Sequence, residues 1–236
     1  CTDVALTLRS EVQRSWWSLL LGDADSAYAR ATDAVREARR QAATGVLPAA
    51  LEVLAQAELH LGELDAAART ATEGLDVAIR IGQRRGVAML SGVQAFVAAV
   101  RGDADAAASY AADADPASAA HALALLDLGD GRAEAAVDRL AAAHRPGLAG
   151  LPAVPDLVEA AARTDRLENH EFAAQALADY VAWASAADRP QLHAVALRSR
   201  GLLGEPDLLG NALGMADQAG PWQQARTELA HGEWLR

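Results

Sequence analysis

Apolar residues recur along this chain at intervals of three and four, the spacing that lines one face of an α-helix. No stretch sustains the strict alternation of a half-buried strand. Reading glycine, proline and capping residues as punctuation predicts helices at about residues 4–21, 25–43, 48–61, 65–81, 85–101, 105–114, 117–128 and 132–143. Helices resume at about 156–165, 169–187, 190–203, 206–218 and 222–235. Pro190 and Pro206 suit a first helical turn, where the missing N–H has no intrahelical partner to lose. Between the two groups, Pro146, Gly147, Gly150, Pro152 and Pro155 mark a non-helical linker.

A repeat is written into the first group. Leu21-Gly22-Asp23-Ala24-Asp25-Ser26-Ala27 returns as Leu61-Gly62-Glu63-Leu64-Asp65-Ala66-Ala67 and again as Arg101-Gly102-Asp103-Ala104-Asp105-Ala106-Ala107. The glycines are forty residues apart each time. A looser copy runs from Leu128 through Gly129 and Gly131 to Ala135. Each copy reads as a helix end, a glycine free to take the left-handed conformation, and a capping acid that opens the next helix. The following Ala27, Ala67 and Ala107 are small, as a close helix crossing requires. On this pattern the expected fold is all-α, a right-handed superhelix of antiparallel helix pairs. Residues 1–145 form its regular part, 146–155 the linker, and 156–236 less regular pairs ending in a truncation.

Composition narrows the possible functions. Hydrophobic residues make up 52% of the chain and aromatics only 4%, so apolar surface is carried by Ala, Leu and Val, and burial must be spread over many helix contacts. All 21 basic residues are Arg. The absence of Lys removes the P-loop lysine, a Schiff-base lysine and a Ser-x-x-Lys pair. A net charge of −11 and a pI near 4.9 repel a phosphate backbone, which argues against direct nucleic-acid binding by this segment. Cys1 is the single cysteine, so no internal disulfide or cysteine metal cluster can form. Nothing near residue 1 resembles a signal peptide, and no apolar run reaches bilayer length. The expectation is a cytoplasmic segment of a longer protein, with no membrane contact.

Ser15, Ala55 and Ala95 in the first helices, Gly22, Gly62 and Gly102 at the turns, and Ala27, Ala67 and Ala107 in the second helices resemble tetratricopeptide-like repeats. The forty-residue period exceeds the usual one of about 34, and the aromatic and proline positions of that pattern are mostly unfilled. The C-terminal part carries a narrower resemblance. Tyr180-Val181-Ala182-Trp183-Ala184, Arg189-Pro190, and the run from Gly220-Pro221-Trp222 through Ala225-Arg226-Thr227-Glu228-Leu229 to Gly232-Glu233-Trp234-Leu235-Arg236 carry it. They resemble the helical-repeat region of large ATP-binding LuxR-type transcription regulators of actinobacteria, relatives of the maltose-regulon activator. That resemblance implies a sensor or coupling segment, with ATP bound by a domain before it and DNA by a helix-turn-helix after it. No cofactor is implied for the segment itself. A small-molecule effector or a protein segment is its implied partner, and pairing of exposed repeat ends makes a homodimer a candidate assembly. A stand-alone adaptor for a short peptide is the competing reading.

The forty-residue register places Trp16, Gln56 and Phe96 at equivalent positions, as it does Leu20, His60 and Val100, and Val12, Glu52 and Gly92. In tetratricopeptide-like superhelices these first-helix positions often line the concave groove. Trp16, Glu52, Gln56, His60 and Phe96 are therefore the candidate groove residues, an apolar wall with polar anchors. Packing between neighbouring helices is the other role open to Trp16 and Phe96, and the commoner one for aromatics at helical spacing. Other constellations have structural explanations. Glu228 and His231 form one Glu-x-x-His where a di-iron bundle needs two, and Asn169-His170-Glu171 suits a helix start. The acids Asp23, Asp25, Asp65, Asp103 and Asp105 suit turns and caps. The clusters Arg36/Arg39/Arg40 and Arg80/Arg84/Arg85 suit helix C-termini. No catalytic set emerges, and the expectation is a chain that is not an enzyme.

Overall fold

A computed structural model describes residues 2–145, 147–148 and 150–236, so that Cys1 and the linker residue Pro146 lie outside the described residues. The fold is all-α, with thirteen α-helices and no strand among the described residues. The first eight are α1 (Thr2–Leu20), α2 (Ala24–Arg40), α3 (Leu47–His60), α4 (Leu64–Arg80), α5 (Arg84–Val100), α6 (Ala104–Asp113), α7 (Pro116–Gly129) and α8 (Ala133–Ala143). They are followed by α9 (Val154–Ala162), α10 (Leu167–Ala187), α11 (Pro190–Leu202), α12 (Leu208–Leu213) and α13 (Pro221–Trp234). Among the described residues no helix is long and apolar enough to cross a membrane. Packing divides the chain into two units, Cys1–Leu123 and Ala124–Arg236, and the division falls within α7.

The turns of the first unit share one geometry. Gly22, Gly62, Gly82 and Gly102 all have positive φ. At Gly22 the glycine N–H donates to Leu19 O at 2.9 Å and the next N–H, from Asp23, donates to Ser18 O at 2.9 Å. This pair of bonds closes the helix by satisfying carbonyls that its last turn leaves free. It recurs at Gly62, Gly82 and Gly102, and also at Ala42, whose φ is 51. Reversals therefore fall every twenty residues, twice as often as the glycine repeat alone announces.

Asp23 and Asp103 cap α2 and α6, each accepting from the N–H three residues on at 3.0 Å. Asp25, Asp65 and Asp105 stand within the first helical turns instead, where a carboxylate meets the positive end of the dipole. The clusters also divide. Arg39, Arg40 and Arg80 occupy last turns, whereas Arg84 and Arg85 open α5, because Gly82 ends α4 before them.

Within the first unit each of α1 to α6 packs on its sequence neighbours, and α3 also touches α1 and α5. One layer thus consists of α1, α3 and α5, and the other of α2, α4 and α6. Ser15, Ala55 and Ala95 are fully buried, as are Ala27, Ala67 and Ala107. At these six sites the absence of a larger side chain sets how closely the helices approach. Gly74 does the same on α4, since a Cβ there would lie 2.7 Å from Leu90 Cδ2. Leu8, Val35, Leu51 and Val53 supply the bulk between the small residues.

In the second unit α9 packs on α8, α10 and α11, and α11 in turn contacts α12 and α13. Its core joins Leu140, Leu157, Val158, Leu177, Tyr180 and Val195. The irregular stretch before it is shorter than its prolines and glycines predict. Leu151–Ala153 form a 3-10 turn that runs straight into α9, with Pro155 in the first turn. The helix expected at 206–218 is broken, ending at Leu213 and resuming as a 3-10 turn at Ala216–Ala219. Gly210 and Gly214 lower helix propensity there, and no long apolar stripe compensates.

Candidate functional site

The five groove candidates all stand on the α1/α3/α5 layer. Glu52, Gln56 and His60 follow one another at four-residue steps along α3, with Trp16 on α1 and Phe96 on α5 on either side. The three α3 residues are joined. Gln56 Nε2 donates to Glu52 Oε1, and the Gln56 carbonyl lies 2.8 Å from His60 Nδ1. A carbonyl can only accept, so Nδ1 carries the proton and a neutral His60 presents Nε2 as an acceptor. Gln56 is half-buried and His60 exposed.

Trp16 is half-buried against the core of the first unit and meets Trp17 edge-on, with ring centroids 5.4 Å apart. Phe96, also half-buried, meets the His121 ring edge-on at 5.3 Å. Each aromatic thus has a packing partner and a partly open surface.

Glu52 is the chemically unusual member. Only 7% of it is exposed. Burial pushes its carboxyl up to about 7, the charge of Arg85 opposes that rise, and Asp115 adds to it. Asp115 caps α7 by accepting from the N–H groups of Ala117 and Ser118 through Oδ1, while its buried Oδ2 has no hydrogen-bond partner. Gly92, the residue equivalent to Glu52 one repeat later, makes room for this turn. A Cβ at Gly92 would lie 2.7 Å from Ser118 Cβ and 3.9 Å from Asp115 Oδ2. Neither Arg85 nor Asp115 stands out in sequence as a site residue. The available signal was the helix end at Gly82, which puts Arg85 on the first turn of α5.

A second concentration of charge lies in the second unit, between α9, α11 and α13. Arg226 is almost fully buried, pairs with Asp156 and Glu159, and lies 5.6 Å from the centre of the Trp222 ring. Burial opposes its charge, but Asp156 and Glu159 outweigh burial and hold the guanidinium protonated more firmly than usual. Glu159 also meets Arg163 at 2.8 Å.

Behind them Arg198 is 0% exposed. Its Nη1 donates to Gln223 O at 3.1 Å and reaches Thr227 Oγ1 at 3.5 Å, while Nε and Nη2 have no partner. Burial first, and then the charge of Arg226, push Arg198 down to about 10, so it stays cationic at neutral pH. Burial likewise raises the neighbouring Tyr180 phenol. A cavity of about 160 Å³ adjoins this cluster, lined by residues of α9, α11 and α13.

The remaining sequence candidates are placed as follows. Asn169 and His170 lie inside the first turn of α10 and reach back to Thr164, Asn169 Nδ2 donating to its hydroxyl at 3.2 Å. Glu228 accepts from Gln224 on the surface of α13, and His231 rests against Trp234. Among the described residues no three His, Cys, Asp or Glu side chains gather as a metal ion would require. No protein-family model matches the chain, and no curated protein matches it.

Proposed function

We propose that this chain is the sensor and protein-interaction segment of an ATP-dependent LuxR-type transcription regulator. The observation that carries the reading is the α1/α3/α5 layer, on which Trp16, Glu52, Gln56, His60 and Phe96 stand in one repeat register. An apolar wall with a few polar anchors suits a small effector or a segment of a protein partner. The C-terminal resemblance supports the regulator assignment.

In this reading the segment carries out no catalysis and works in the cytoplasm. A preceding domain supplies ATP binding and a following one supplies DNA binding. Occupation of the groove acts by differential affinity, favouring the assembly-competent form over the closed one. Calorimetric titration of the purified segment against sugars, nucleotides and amino acids tests the sensor role, with Trp16→Ala and Gln56→Ala as groove controls. Binding weakened by both substitutions supports the reading. Silence towards every small molecule, with binding of a short peptide in the same groove, replaces it with the adaptor. A reading frame with neither a Walker motif upstream nor a helix-turn-helix downstream ends the regulator assignment.

A further inference from the structure

The cavity between α9, α11 and α13 has one apolar side and two charged groups that the protein does not use up. Ala162, Leu202, Leu229 and Ala230 line it, and its volume is about 160 Å³. An aliphatic side chain of four carbons fits with room to spare. Arg226 and Glu159 also line the cavity, but they are spent on each other and on Asp156.

Arg163 and Glu233 differ from that pair. Arg163 commits one amino group to Glu159 and is about one-third exposed. Glu233 is exposed and has no ion-pair partner among the described residues. These two open charges, of opposite sign, one at the residue that closes α9 and one on α13, line the cavity together with its apolar residues.

Arg198 adds a buried cation on α11. It stands one helical turn before Leu202 on α11, fully buried, with two donors unpartnered. In the buried layer its positive charge joins Arg226 opposite Asp156 and Glu159.

We infer that this cavity binds a free α-amino acid with an aliphatic side chain. The ligand's carboxylate is held by Arg163, its ammonium by Glu233, and its side chain against Leu202, Ala162 and Ala230. Only a free amino acid carries both charges on one carbon, so a peptide terminus offers half of the required head group. The site lies in the second unit and does not depend on the groove reading of the first.

Isothermal titration of the full chain with L-leucine, leucinamide, 4-methylpentanoate and glycine tests the inference. L-Leucine is expected to bind one to one. Loss of either head-group charge, or of the side chain, is expected to weaken binding about tenfold or more. Glu233→Gln and Arg163→Gln are expected to weaken leucine binding to the same degree without changing the helical circular dichroism, since both side chains face solvent. The groove substitution Trp16→Ala should leave leucine binding unchanged. Absence of binding by any aliphatic amino acid at millimolar concentration overturns the inference. So does binding insensitive to Glu233→Gln, or binding abolished by Trp16→Ala, which would place the ligand in the first unit.

Discussion

At Ala42 the backbone takes φ 51, in the left-handed region, at a turn whose counterparts at 22, 62, 82 and 102 are all glycine. The hydrogen bonds are the same at each turn. Ala42 N–H donates to Arg39 O at 3.1 Å and Ala43 N–H to Ala38 O at 2.8 Å, as Gly82 N–H donates to Ile79 O at 3.1 Å and Gln83 N–H to Ala78 O at 2.8 Å. A non-glycine residue in this conformation costs about 1–2 kcal/mol through the Cβ clash. Glycine returns about 0.4–1 kcal/mol of that through the freer unfolded chain.

Ala42→Gly should therefore stabilise the protein by about 0.5–1 kcal/mol, which raises the melting temperature by roughly 1–4 °C in a chain of this size. Gly82→Ala is the mirror experiment. A Cβ at residue 82 meets nothing within 4 Å, so its cost is conformational alone and should match the Ala42→Gly gain with opposite sign. Urea unfolding followed by circular dichroism at 222 nm reads both. A destabilised Ala42→Gly, or two shifts of the same sign, would refute the claim that these turns share one backbone geometry.

Three further expectations follow from burial and charge. Glu52, with its carboxyl raised to about 7 from 4.5, binds a proton more tightly folded than unfolded, so stability is full below pH 4.5 and declines as pH rises towards 7. Glu52→Gln removes this dependence, and the variant's advantage over the parent should grow between pH 4.5 and 7 to about 2–4 kcal/mol and then level off. A pH-independent difference in urea midpoints would contradict it. The two buried arginines should respond in opposite ways. Arg226→Ala strands Asp156 and Glu159 and should cost about 3–5 kcal/mol, whereas Arg198→Met, which removes a guanidinium with two unpartnered donors, should change stability by less than about 1 kcal/mol. Equal losses in thermal melts would show that Arg198 is an integral part of the ion-pair network. Ala67→Leu puts three carbons into a fully buried helix contact and should cost about 1–3 kcal/mol by the same melts, while Ala66→Leu, at a half-buried position, should cost less.

The helices of the first unit are legible because each is bounded by local chemistry. Gly22, Gly62 and Gly102 end helices, Asp23 and Asp103 begin them, and the small residues that follow are buried as their spacing implies. The twenty-residue half-period is harder to see, since Ala42 hides one turn behind an ordinary residue and Gly82 is followed by Gln83 and not by a capping acid. The broken segment at α12 escaped because Pro206 suggests the first turn of one helix until Gly210 and Gly214 are weighed.

The candidate site was visible only in part. Glu52, Gln56 and His60 share a face because they share a helix, but the approach of Arg85 and Asp115 depends on packing between helices. The pairing of Arg226 with Glu159 joins residues 67 positions apart, which no local pattern encodes. Arg198 did leave a trace, as a lone charge among Ala194, Val195, Ala196 and Leu197, one turn beyond a position that faces the core.

Evenly spaced reversals make the first unit tolerant of changes in length. Excising residues 23–62 would join Gly22 directly to Glu63, leaving a glycine reversal followed by an acid, with the next pair of rods entering in the orientation of the pair removed. Each rod leans chiefly on those before and after it. Lineages that carry this protein could shorten or extend the unit by whole forty-residue modules, and with it the number of side chains along the α1/α3/α5 face, without redesigning a single junction.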